Sequence, residues 1–204
     1  MEPSLPLAPK KFKAALGVES AKFLPCKPAF ITRGRSRGRF AVGVRYEREA
    51  QEWLSLYALG RPEMEHRNGP WIEFQERRGR RWCQPDALLI NAKEKRVVLL
   101  EVKYQHTSDA WYQLKQLYLP VLRVAMRGYS FSLVEMVHWY DPLTLWPERP
   151  LNVPDLDRAW YHGETVATLI FNRRRERRFH SAGHSNSKGV SETSRPIWPA
   201  EGAE

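Results

Sequence analysis

The sequence predicts an α/β domain carried between basic tails, and three observations predict it. Two short apolar runs, Ala87–Ile90 and Val97–Leu100, are rich in branched residues and bounded by turn formers, the pattern of adjacent strands. From Val42 to Leu59, Tyr46, Ala50, Trp53, Leu54 and Tyr57 recur at three- and four-residue intervals, which is helical spacing. The chain's 204 residues suffice for one domain with a sizeable core. Taken in order, the elements run helix, three-strand meander, helix, strand.

Residues 1–40 alternate Pro and Lys and then pass through Arg33-Gly34-Arg35-Ser36-Arg37-Gly38-Arg39, a composition that predicts a flexible basic arm. Phe12, Leu16, Phe23 and Leu24 offer the alternative of a short helix docked on the core. The helix over 42–59 ends at Gly60-Arg61-Pro62. Trp71–Gln75 and Arg81–Cys83 read as strands, with Arg77-Arg78-Gly79-Arg80 at a hairpin tip. The meander then continues through Pro85-Asp86 into the run that begins at Ala87. Arg77, Arg78, Arg80 and Arg81 at that tip suit a phosphate clamp, or equally an edge kept soluble by charge.

After Lys103, Thr107-Ser108-Asp109 is a helix start with capping side chains. Trp111, Leu114, Tyr118 and Val121 form the apolar stripe of that helix, and Pro120 should kink or end it because it lacks a backbone donor. Tyr129–Tyr140 is a further strand with mixed rather than clean alternation, His138 packing beside Trp139. Residues 141–164, rich in Pro and Trp, predict an ordered loop, and Thr165–Phe171 a last short strand. Arg173-Arg174-Arg175-Glu176-Arg177-Arg178 opens a tail in which Arg173, Arg174 and Arg175 are candidate nucleic-acid contacts; the Ser/Gly/His remainder is expected to be disordered.

Chemistry concentrates between Pro85 and Lys103. Side chains alternate along a strand, so Glu101 and Lys103 share a face while Val102 points into the core. If the hairpin closes at the polar turn Asn91–Lys95, Asp86 comes level with the end of the second strand. Two carboxylates at the edge of an apolar sheet are costly unless paired or metal-bound. A divalent cation relieves their repulsion, and oxygen-only ligation favours a hard ion such as Mg²⁺, which takes further ligands from water and substrate phosphate. Lys103 would then orient or deprotonate a water, or offset charge on the phosphate. The plain alternative is a surface salt bridge between Lys103 and Glu101 or Asp86.

Pro85-Asp86 followed by Glu101-Val102-Lys103 resembles the signature of the PD-(D/E)xK nuclease superfamily, the restriction-endonuclease-like fold. The resemblance covers roughly residues 42–140, about half the chain. It implies a Mg²⁺-dependent deoxyribonuclease, with Mn²⁺ able to substitute, in which Asp86, Glu101 and Glu47, aided by the backbone carbonyl of Val102, hold metal while Lys103 serves the attacking water. Gly43-Val44-Arg45-Tyr46-Glu47 is similar to the Gly-x-x-x-Glu of the first helix in many members, with Glu49 and Glu52 as competitors. Gln113-Leu114 ahead of Leu117-Tyr118 looks like the helical Gln motif of nucleases of the RecB type, although Tyr118 falls five residues after Gln113 rather than four. Such a Gln would position water or the metal's carboxylate ligand, and Gln116 competes for the role. Products would carry 5′-phosphate and 3′-hydroxyl ends. Similarity to Holliday-junction resolvases and to transposon-end nucleases points to recombination, repair, phage or mobile-element DNA processing. On this reading residues 1–40 are the arm, 41–172 the nuclease-like domain and 173–204 the tail.

Composition sets outer limits. A formal charge of +10 points to a polyanionic partner, most simply DNA. Two cysteines, Cys26 and Cys83, give neither a disulfide framework nor a zinc site and fit a reducing cytoplasm. No run is long and apolar enough to span a bilayer, and no signal-peptide core is found. A homodimer or a partner protein would suit double-strand cutting. The competing functional expectations are a basic DNA-binding protein without catalysis and an accessory subunit of a larger DNA-processing complex.

Overall fold

The computed structural model describes residues 12–31, 39–149 and 151–172. The chain divides into two units, Met1–Phe171 and Asn172–Glu204. Apart from Asn172 the second lies outside the described residues, and with it Arg173, Arg174 and Arg175; so does the Arg-Gly stretch over 33–38. In chain order the elements are β1 (Val18–Leu24), α1 (Arg39–Leu59), β2 (Met64–Asn68), β3 (Trp71–Glu76), β4 (Gly79–Cys83), β5 (Ala87–Asn91), β6 (Arg96–Gln105), α2 (Ser108–Tyr112), a π-helical turn (Gln113–Tyr118), α3 (Leu119–Ala125), β7 (Ser130–Trp139), β8 (Leu151–Val153), α4 (Leu156–Ala159) and β9 (Val166–Ile170). The class is α/β. Among the described residues no helix is long and apolar enough to cross a membrane.

Six strands form one mixed sheet in the order β2-β5-β6-β7-β9-β8. β2, β5 and β6 pair antiparallel, whereas β6-β7, β7-β9 and β9-β8 pair parallel. The helical stretch from Ser108 to Ala125 supplies the crossover that a parallel β6-β7 pair requires. Alternation then sorts the core into two layers. Leu88, Ile90, Val97 and Leu99 face Leu114, Tyr118, Val121 and Leu122. Ala87, Leu89, Val98, Leu100 and Val102 face Tyr46, Ala50 and Leu54 of α1 and Leu156, Ala159 and Trp160 in and beside α4.

Several expectations need correcting. Residues 18–24 are not part of a flexible arm, nor a docked helix: β1 pairs antiparallel with β3, and Ala21 and Phe23 pack on the core. The segment leading into it is also fixed, since Ala15 is buried and Leu16 N–H donates to Glu76 Oε1 at 2.9 Å. The β3-β4 hairpin does not continue into β5 but turns away to form a second, three-stranded sheet, β1-β3-β4. The antiparallel run beside β6 is instead headed by β2, whose sequence Met-Glu-His-Arg-Asn carries no apolar alternation. As an edge strand it needs none, and charge there discourages further pairing.

Pro120 neither ends nor breaks its helix. The backbone passes from α2 through the π turn into α3 with helical angles at Gln113, Tyr118 and Leu119. The carbonyl that Pro120 would serve in an α-helix, that of Gln116, accepts instead from Ala15 N–H at 2.7 Å. The mixed pattern of β7 follows from its place between two parallel neighbours, where residues from Phe131 to Val137 are all buried and both faces must be apolar. The loop over 141–164 contains β8 and α4, and β9 follows within Thr165–Phe171.

Candidate active site

The β5-β6 ladder runs from Asn91↔Arg96 to Ala87↔Leu100, so Asp86 lies one step past the last pair, level with Glu101. There the side chain replaces the backbone as partner: Asp86 Oδ2 accepts from Val102 N–H at 2.7 Å. A residue's N–H and C=O leave an antiparallel strand on the same side, so the Val102 carbonyl is also directed towards the β5 side. Even-numbered residues of β5 and odd-numbered residues of β6 share a face, which puts Asp86, Glu101 and Lys103 together on the side covered by the π turn and α3. The sequence folds this way because the apolar side chains just before Glu101, at Val97 and Leu99, fix which face each later residue takes.

Lys103 Nζ donates to Glu101 Oε1 at 2.5 Å, Glu101 being only 2% exposed. Its other oxygen, Oε2, is buried without a hydrogen-bond partner. Burial, then the charge of Glu101, hold the Asp86 carboxyl well above the usual carboxylate range; Lys103 and the Val102 N–H oppose this and Glu47 adds to it. Burial likewise raises Glu101, against the pull of Lys103 and with repulsion from Glu47 and Glu135. Burial works against the Lys103 ammonium, but Glu101 and Asp86 outweigh it and leave the pKa above its ordinary value. The site is therefore short of positive charge even with its lysine in place.

Glu47 is half-buried on α1, and its charge reaches both Asp86 and Glu101. Gln113 donates from Nε2 to Tyr118 Oη at 3.3 Å, and its Oε1 is buried without a partner. The five-residue spacing that departs from the helical Gln motif is met by the π turn, whose wider coil brings residues i and i+5 together where an α-helix would bring i and i+4. Tyr118 in turn lies close enough to Glu101 and Asp86 for both to raise its phenol, after burial. The backbone carbonyl of Gln116, the competing choice, accepts from Ala15 N–H at 2.7 Å.

Of the four hairpin arginines, Arg77, Arg78 and Arg80 are exposed. Arg81 is not available as a phosphate clamp: Nη1 donates to both Glu76 oxygens at 3.0 Å, and the guanidinium also donates to the carbonyls of Lys13 and Ala14. It points towards the core side because Phe74, its ladder partner, does. His138 stacks on Tyr104, with ring centroids 5.0 Å apart, rather than standing alone beside Trp139.

Sequence reasoning missed a further buried acid. Glu135 of β7 is level with Glu101 in the parallel ladder, fully buried, and its Oε2 lies 2.5 Å from His106 Nδ1 while Thr107 N–H donates to Oε1 at 3.0 Å. The His106 ring stacks on Trp146 and packs against Tyr140. Burial raises the Glu135 carboxyl, His106 opposing. The only signal in the sequence was a glutamate inside an apolar strand. Asp86, Glu101 and Glu135 thus form a row of acids across three adjacent strands.

Among the described residues no three His, Cys, Asp or Glu side chains converge as a ready-made metal cluster. The donor set nonetheless fits a hard cation: Asp86 and Glu101, each raised by burial and by neighbouring carboxylates, and two orphaned buried oxygens, Glu101 Oε2 and Gln113 Oε1. Comparison with protein-family models, curated proteins and solved structures found no match, so the functional reading rests on the chemistry of these side chains.

Proposed function

We propose that this chain is a Mg²⁺-dependent nuclease that hydrolyses phosphodiester bonds in DNA, with a restriction-endonuclease-like core. The observation that carries the reading is the placement of Asp86 level with Glu101 at the end of an apolar hairpin, with Lys103 Nζ 2.5 Å from Glu101 and the second Glu101 oxygen buried without a partner. Asp86, Glu101 and Glu47, with the Val102 carbonyl, are the groups that would hold Mg²⁺, Mn²⁺ substituting. The cation would supply charge stabilisation to a phosphodiester under attack. Lys103, kept protonated by its two acidic neighbours, acts as a donor that orients water or offsets phosphate charge; it does not abstract a proton in this state. Gln113, its amide held by Tyr118, presents Oε1 as an acceptor for a water. Exposed Arg77, Arg78 and Arg80 add sequence-blind affinity for the DNA backbone.

Purified protein incubated with linear, nicked, branched and single-stranded DNA should cleave with Mg²⁺ or Mn²⁺ and stop with EDTA. Lys103→Ala should lose cleavage by at least about a hundredfold while DNA binding is retained. Binding that ignores EDTA, with no cleavage of any substrate, would instead identify a non-catalytic DNA-binding protein. Cleavage that starts only on adding another component would identify an accessory subunit.

A further inference from the structure

A chain of polar groups reaches Asp86 from behind. Asp86's carbonyl oxygen accepts from Gln51 Nε2 at 2.7 Å and from Gly69 N–H at 2.8 Å. A carbonyl can only accept, so Gln51 must turn its NH₂ to it, which leaves Gln51 Oε1 to accept from His66 Nε2–H at 3.1 Å. The remaining ring nitrogen, Nδ1, then accepts from Ser55 Oγ at 2.9 Å. Every member has one direction open to it, and Gln51 is 6% exposed. Gly69 is needed for its own reason: it sits at φ 52°, and a Cβ there would come within 2.8 Å of Gln84 Nε2, which donates to the Gly69 carbonyl.

We infer that Ser55, His66 and Gln51 form a positioning relay that fixes the Asp86 backbone against α1, and so sets the spacing between Asp86 and Glu47. The inference deepens the nuclease reading and rests on it for its functional meaning. Glu47 and Gln51 are four residues apart on α1 and share a helix face, so tying Gln51 to Asp86 also sets the height at which Glu47 stands. The contacts of α1 with the sheet through Ala50, Leu54 and Ala58 are apolar and give no direction along the helix axis, whereas Tyr46 Oη donates to the Phe171 carbonyl at 3.3 Å just past β9. On the β5 side the relay supplies that direction. Gln51, His66 and Ser55 act through Asp86 and are positioning residues.

The Val102 amide reads the result, because its partner is the Asp86 carboxylate itself. Amide hydrogen exchange would be measured at Val102, Gly69 and Leu100 in the whole protein, alongside Mn²⁺ affinity by electron paramagnetic resonance. Gln51→Met keeps the bulk of the side chain and removes both of its hydrogen bonds. Val102 and Gly69 should exchange about tenfold faster while Leu100 is unchanged, and Mn²⁺ should bind about tenfold more weakly. Gln51→Glu, which still accepts from His66 but cannot donate to the Asp86 carbonyl, should behave like Gln51→Met. Unchanged exchange at Val102 and Gly69 overturns the relay. Faster exchange in a protein whose wild type binds no Mn²⁺ leaves the relay standing and removes the metal reading instead. If Gln51→Met fails to fold, Ser55→Ala tests the chain from its exposed end: about threefold faster exchange at the same two amides supports the relay, and no change overturns it.

Discussion

Asp86 and Glu101 hold their charges in a place that disfavours them. For Asp86, burial and the facing Glu101 raise the folded-state pKa above the ordinary value of 3.8. A folded state that binds protons more tightly than the unfolded one loses stability as pH rises from that ordinary value through the raised one. Asp86→Asn removes the charge but keeps an oxygen for the Val102 N–H. In chelator and at neutral pH this variant should melt above wild type, the gap closing as pH falls towards 4. Lys103 does not disturb this window, because its pKa is raised from 10.5 and its contribution is lost only in alkali. Thermal unfolding across pH checks the prediction; a wild type that gains on the variant as pH rises contradicts it.

At the scale of elements, the π turn decides what the helix presents. It brings Gln113 to Tyr118 and so fixes the Gln113 amide, leaving Oε1 inward. On the proposed nuclease reading, Tyr118→Phe should keep the fold by circular dichroism yet slow cleavage about tenfold, as loss of an outer support typically does. A cleavage rate equal to wild type would separate the turn from the chemistry. The same element measures what could be read in advance. Asp86, Glu101 and Lys103 were legible because strand alternation fixes which face each residue takes once Val97 and Leu99 are assigned to the core. Gln113 was legible only as a residue type, since the sequence spacing fits an α-helix poorly and nothing local announces a π turn. β2 and the Glu135–His106 pair were not legible. An edge strand of polar residues owes its existence to β5, and a buried hydrogen-bonded pair joined across 29 positions leaves no local pattern.

At the scale of the whole molecule, the small sheet β1-β3-β4 joins the apolar layer formed with the π turn and α3 on the side where the acids lie. The N-terminal strand was hidden because Val18–Leu24 is too polar to predict burial alone; its antiparallel partner β3, with Phe74 opposite Ala21 and Ile72 opposite Phe23, makes it a strand. A chain beginning after Leu24 should be markedly less stable, since it loses the β1 ladder, the Glu76–Leu16 bond and the Ala15 bond to Gln116. A lower melting temperature or insolubility is the expected result, and a melting temperature equal to that of the full chain would contradict it.

That Ala15 bond has a practical corollary. The acceptor left spare by Pro120 is filled from outside its own helix, by a residue more than a hundred positions away. Residues 12–24 are therefore a detachable piece: supplied as a synthetic peptide, they should add back along β3 as an extra strand and restore the truncated protein in trans. A split reporter built at this junction would light up only when both fragments meet, offering a way to assemble the domain by mixing.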